Sequence, residues 1–311
     1  MALTDLVTEE APSPFLPNSN IQYAWDSTSL EDFKRCPRLY QYRMIDGWVS
    51  EEESVHLRFG RELHQSLHDY ELSISAGIPH DDAVFDVVKE LLLRTDDWRP
   101  DHKYKNRKNL VRTVVWYLDK FKNDPAQTMV KDDGKPIVEY SFRFELDWGP
   151  TAGQPYVLCG HLDRVVNFHD ELFVMDHKTT TTEPSDYYWN QFNPHNQMSL
   201  YTLASKIVFE SNIKGVIINA AEVKIGFSRF TRGTTYRTKD QLEEWLHDLK
   251  YWLNLAEGYA EAGYWPMNDT ACDKYGGCPF REICSKSPSV RDKFLNSSFV
   301  KREPWNPLQP R

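Results

Sequence analysis

The sequence predicts an α/β fold, a mixed sheet with helices around it, entered through an N-terminal helical lobe. Three observations carry this. Apolar residues recur at helical spacing through residues 54–122, four strand-like runs follow between 137 and 223, and a helical run at 196–209 interrupts the strands before the last of them.

Ser29, with Asp32 three residues later, resembles a capping box that opens a helix toward Cys36, where Pro37 interrupts it or starts a turn. Helices are then expected at 54–76, 81–95 and 105–122. In the first of these Gly60, Leu63, His64 and Leu67 follow i, i+3, i+4, i+7, so His64 lies on the buried stripe. Strands are expected at 137–147, 156–167, 171–178 and 215–223. The alternation in Tyr140-Ser141-Phe142-Arg143-Phe144-Glu145-Leu146 marks a half-buried strand. The unbroken run Leu172-Phe173-Val174-Met175 marks one buried on both faces. Residues 224–232 add a hairpin, and 239–262 form a long helix returning to a cysteine-rich loop. The resulting division is a flexible lead (1–20), a helical lobe (21–130), a core (131–265), a cysteine-rich region (266–290) and a C-terminal tail (291–311).

At 311 residues, 40% hydrophobic and 14% aromatic, the chain is long and apolar enough to bury a sizeable core. No apolar run reaches the length of a membrane span, and residues 1–20 lack the basic and apolar regions of a signal peptide, which points to a reducing cytoplasm. A net charge of -9 argues against a protein that coats nucleic acid nonspecifically. Local basic strips remain possible grips for DNA. One holds Lys103, Lys105, Arg107 and Lys108 beside Trp98 and Tyr104. The other holds Arg229 and Arg232 beside Phe227 and Phe230.

The chemistry concentrates in two strands. Asp176 and Lys178 are two apart and share a face, while His177 points away. A carboxylate and an ammonium at the end of a buried strand cost several kcal/mol unless they pair or bind a metal. The preceding strand carries Asp163 among Val157, Cys159, His161 and Val165. Side by side, the two strands bring Asp163 and Asp176 near enough to share a divalent cation, since hard carboxylate oxygens suit magnesium or manganese. Gln197 and Tyr201, i and i+4 on a helix, project an amide and a phenol from one face, either to bind phosphate or to hold the lysine. Glu139, on the first strand, is a candidate additional metal residue or a surface glutamate.

In this order the motifs resemble the PD-(D/E)xK nucleases. Asp163, Asp176 and Lys178 match D...(D/E)-x-K, with Leu162 in the loosely held Pro position. Gly60 to His64 is similar to the GxxxH motif, and Gln197 to Tyr201 to the QxxxY motif, of the RecB-like exonuclease branch. The resemblance implies a restriction-endonuclease-like core. It implies a Mg²⁺ or Mn²⁺ site at His64, Asp163, Asp176 and the backbone carbonyl of His177, with Lys178, Gln197 and Tyr201 completing the catalytic group. It also implies exonuclease action on DNA single strands or duplex ends in recombination, repair or spacer acquisition, with a helicase or recombination protein as partner. Other readings are a DNA-end-binding or scaffold subunit that has lost activity, and a sequence- or structure-specific endonuclease.

Cys36, Cys272, Cys278 and Cys284, one early and three late, look like the 4Fe-4S staple of RecB-like nucleases, although five residues separate the second and third cysteines where two are usual. Gly276-Gly277 lets that loop bulge. Zinc held by four thiolates is the rival reading. Closing a loop of about 236 residues costs about 5 kcal/mol beyond a constant, which cluster assembly would supply. Cys159, inside a strand, reads as a small core residue.

Overall fold

The computed structural model describes residues 11–151, 153–210, 212–273 and 276–310. In chain order it begins with β1 (Ala24–Trp25), α1 (Ser27–Arg35), α2 (Pro37–Tyr40) and β2 (Trp48–Ser50), then three helices, α3 (Val55–Ser75), α4 (His80–Arg94) and α5 (Arg107–Lys120). Four strands follow, β3 (Ala126–Thr128), β4 (Val138–Glu145), β5 (Val157–Phe168) and β6 (Glu171–Thr180). Next come α6 (Asp186–Asn190), α7 (Asn196–Val208), β7 (Ile213–Val223), β8 (Ser228–Tyr236) and α8 (Lys239–Ala262), and the chain closes with α9 (Arg281–Ser285), α10 (Arg291–Ser298) and β9 (Phe299–Lys301). This is the expected α/β architecture, a central mixed sheet flanked by helices. No helix among the described residues is long and apolar enough to cross a membrane.

Contacts divide the chain into two compact units, one of Met1–Glu52, Ser141–Gly160 and Glu243–Arg311, the other of Glu53–Tyr140 and His161–Leu242. In the first, the cap of α1 differs from the expected one. Asp26 is the N-cap: its Oδ1 accepts the Ser29 backbone N–H at 2.9 Å, and Ser29 Oγ accepts the Asp26 N–H at 3.2 Å. Ser29 is thus the third helical residue and the cap lies three residues earlier than expected, because an aspartate there satisfies the first-turn donors from outside. The C-terminal segment is structured too: β9 pairs antiparallel with β2, Trp48 opposite Lys301.

The second unit holds the sheet that matters for the site. His169 and Asp170, with φ of 52° and 62°, form the two-residue turn between β5 and β6. Positive φ at both positions is what a type I′ hairpin turn demands. The turn fixes an antiparallel register with Phe168 opposite Glu171 and Arg164 opposite Met175. β6 then pairs parallel with β7, Asp176 beside Ile218 and Lys178 beside Ala220, and β7 pairs antiparallel with β8, Ile218 beside Gly233. Alternate residues serve two layers. Ala221, Val223 and Phe230 join the core formed with α3, α4 and α5. Asp176 and Lys178, one step out of phase, face the side covered by α7, where Met198, Leu200 and Ala204 are buried.

Helix α3 buries Phe59, Leu63, Leu67 and Tyr70 at the expected helical spacing. Against Phe59 lies Lys105, whose residue is 1% exposed and whose Nζ sits 4.4 Å from the ring centroid with no hydrogen-bond acceptor. The aromatic face offsets part of the cost of burying an ammonium, yet burial still lowers the lysine pKa from 10.5 to about 7. The unfolded chain therefore binds one more proton between those values, and folding becomes more favourable as pH rises through that window. Lys105→Met is expected to raise Tm by roughly 5 °C. The gain should be full below pH 7 and vanish toward pH 10.5; thermal melts across that range check it, and a pH-independent gain would contradict it.

Candidate metal-dependent active site

The register of β5 and β6 builds the centre of the site. One step beyond Arg164 and Met175, it sets Asp163 opposite Asp176. Asp163 Oδ2 accepts the His177 backbone N–H at 2.8 Å, which ties the two strands at this point. Asp176 is 1% exposed. Lys178 Nζ donates to its Oδ1 at 3.0 Å and lies 2.8 Å from its Oδ2. Oδ2 thus meets the same ammonium as an ion pair rather than through a hydrogen bond. Lys178 also donates to Gln197 Oε1 at 2.9 Å, and Gln197 Nε2 donates to the Tyr201 hydroxyl at 2.9 Å. Of the two roles open to Gln197 and Tyr201, holding the lysine is the one this geometry performs.

Helix α3 delivers His64. Its Nε2 donates to the backbone carbonyl of His177 at 2.8 Å, while Nδ1 lies 3.4 Å from Asp163 Oδ2 and 3.9 Å from Glu139 Oε1. One ligand atom each from His64, Glu139 and Asp163 lies within 4.8 Å of the others, close enough to hold one metal ion. Glu139 thus sits in the site. Its φ of 43° is one a non-glycine residue rarely adopts, a strain of the kind that collects at functional positions.

Charge explains the protonation of this group. Burial disfavours the His64 imidazolium, but Asp163, then Glu139 and Asp176, outweigh it and raise its pKa to about 9. Burial pushes the Asp163 carboxyl up, and the His64 charge and hydrogen bond overcome it, holding Asp163 well below the usual carboxylate range. Asp176 ends raised, because burial exceeds the help of Lys178. The His64 proton therefore stands where positive charge is wanted among three carboxylates. The donor set of His64, Glu139 and Asp163 suits a divalent cation, while Asp176 lies outside that close group with its carboxylate on Lys178.

The His177 ring points to the other face, as expected. Its Nδ1 is 3.1 Å from Asn219 Nδ2, which also lies 2.6 Å from the Tyr117 hydroxyl. Burial lowers the His177 pKa to about 3, so it stays neutral. Asn219 escaped the sequence reading, although an amide inside the apolar run Ile217-Ile218-Asn219-Ala220 was a usable signal.

The four cysteines lie in the other unit, with no disulfide. Cys36, Cys278 and Cys284 pack in one apolar cluster with Leu39, Tyr42 and Phe280. Cys36 Sγ accepts the Asn268 N–H at 3.3 Å, and the Cys272 carbonyl accepts the Cys278 N–H at 2.8 Å. Cys278 feels both Cys36 and Cys272, and Cys284 feels Cys278 and Cys36. Cys36, Cys278 and Cys284 are thus neighbours, with Cys272 close to Cys278. Lys274 and Tyr275, within the loop between Cys272 and Cys278, lie outside the described residues. Cys159 is buried, its thiol 3.5 Å from the Trp25 carbonyl, as a core residue should be.

The basic strips need correction. Lys105 is buried against Phe59 and cannot meet a phosphate. Arg232 spends its guanidinium on Asp124, at 2.7 and 2.6 Å. Arg107 caps the end of α4 through the Leu92 carbonyl and Thr95 Oγ1. A count of basic residues does not reveal such partners. Lys103 and Lys108 remain exposed, as does Arg229, which pairs with Glu222 and Glu183.

Comparison with known proteins addresses the fold and the family. A solved structure from Eubacterium rectale, described as a "Putative exonuclease", superposes with a TM-score of 0.50 at 13% identity, covering 87% of this chain and 92% of that one. That likeness speaks to the fold. The structure of SSO0001 is far more distant, with a TM-score of 0.30 and 10% identity over 74% of this chain and 76% of the other. No curated protein matches the sequence. Residues 25–285 match the PD-(D/E)XK nuclease superfamily, a span that takes in every residue of the site, and the chain belongs to that superfamily.

Proposed function

We propose that the protein is a Mg²⁺- or Mn²⁺-dependent exonuclease of the RecB-like branch, hydrolysing DNA phosphodiester bonds at single-strand or duplex ends. The observation that carries this is the group of His64, Glu139 and Asp163, whose ligand atoms lie within 4.8 Å of one another, beside the buried pair of Asp176 and Lys178. His64, Asp163, Asp176, Glu139 and the His177 carbonyl would hold the metal. Once bound, the metal supplies a water of lowered pKa and neutralises charge on the phosphate. Lys178, held between Asp176 and Gln197, would present its ammonium to the attacking water or the phosphate oxygen. Gln197, fixed in turn by Tyr201, sets where that ammonium stands. Work in recombination or repair, with unwinding left to a separate helicase, follows from the same reading. The four-cysteine site we assign to a 4Fe-4S cluster, with zinc as the competing occupant.

Asp163→Asn and Asp176→Asn are each expected to cut Mn²⁺-dependent degradation of end-labelled DNA by about a thousandfold; full activity in either would remove the site assignment. Covalently closed circular DNA should survive where the same DNA linearised is degraded, and nicking of the circle would favour an endonuclease. Gln197→Leu should lower kcat about tenfold with KM unchanged, since it misaligns the lysine without touching substrate. Cys278→Ala should abolish the visible absorbance of anaerobically purified protein and lower its Tm, whereas colourless wild-type protein containing zinc would replace the iron assignment.

A further inference from the structure

We propose that Tyr187, on the helix that Trp189 pins to the sheet, forms a platform on which an unpaired base of single-stranded DNA stacks beside the scissile phosphate. The inference rests on the nuclease reading and names the form of substrate. Its basis is the segment between β6 and α7. That excursion leaves the site at Lys178 and returns to it at Gln197, and these two residues are hydrogen-bonded to each other at 2.9 Å. Whatever the excursion carries is therefore held at the mouth of the catalytic group.

What it carries is three consecutive aromatic residues on α6, a five-residue helix that buries none of its side chains fully. The helix is nonetheless fixed in place. Trp189 lies on Gly233, where a Cβ would come within 2.5 Å of Trp189 Cε3, so only glycine admits the indole. Arg237 donates to the Phe192 carbonyl at 2.7 Å, and the Tyr188 ring meets Phe192 edge-on at 5.5 Å. The register places the platform. Asp176, Ile218 and Gly233 form one row across three strands. At about 4.8 Å per strand, Trp189 then stands about 10 Å from the catalytic carboxylate, within reach of a neighbouring nucleotide. Tyr188 is close enough to feel the Asp176 charge. Tyr187 alone is turned outward, 89% exposed.

An exposed tyrosine by itself says little. One carried outward on a pinned helix beside a phosphodiesterase centre is placed to serve as a stacking surface. Its neighbours Glu183 and Asp186 are acidic, so the surface suits a base face rather than a phosphate. Duplex DNA, whose bases are already stacked, could not use it.

Binding of oligonucleotides containing 2-aminopurine, measured in the absence of divalent metal, reads stacking independently of hydrolysis. Wild-type protein should quench the fluorescence of a single strand. Tyr187→Ala should lose that quenching and bind about tenfold more weakly, with Tyr187→Trp restoring both and duplex binding unaltered. In turnover assays Tyr187→Ala should raise KM for single strands more than it lowers kcat. Unchanged quenching and affinity in Tyr187→Ala would overturn the platform while leaving the nuclease assignment intact. Quenching without any metal-dependent cleavage would sustain the platform and sink the exonuclease.

Discussion

A carboxylate at 1% exposure in a sheet needs a cation, and the site is organised around meeting that need at Asp176. β6 is buried on both faces because α3 and α5 pack on one side and α7 on the other. Asp176 therefore cannot turn to water. Lys178 supplies one positive charge, and His64, protonated by the field of Asp163, supplies another nearby. The pairing of Asp176 with Lys178 is thus a property of the fold, present before any substrate arrives, and the arrangement of Gln197 and Tyr201 follows from holding the lysine in that pair.

Much of this was legible in the sequence because it rests on periodicity and spacing. The run from Leu172 to Lys178 announced a doubly buried strand, the two-residue step from Asp176 to Lys178 put both on one face, and the stripe through Leu63 and Leu67 turned His64 inward. The four-residue step from Gln197 to Tyr201 aligned the amide with the phenol. Each is a local rule that tertiary packing had no reason to break.

What stayed hidden depends on partners far away in the chain. Arg232 looked free until Asp124, 108 residues earlier, took its guanidinium. Lys105 sat in a basic strip, and only the Phe59 ring explains its burial. The backbone strain at Glu139 has no sequence signature, which left that residue evenly balanced between surface and site. β3 and α6 are too short to show a period, so neither was expected from the sequence. At α1 the rule was right and its placement wrong, since Asp26 competes with Ser29 for the same cap.

The two-residue turn at His169–Asp170 has a consequence for how such a protein can change. It sets the parity of β6: adding or removing one residue there would exchange the two faces of the strand, burying His177 against α7 and turning Asp176 toward α3 and α5. Length is therefore guarded at this corner, while the identity of most surrounding side chains is not. A chain only 13% identical shares this fold, so the fold tolerates change at most side chains, whereas a change of length at this corner would invert a strand.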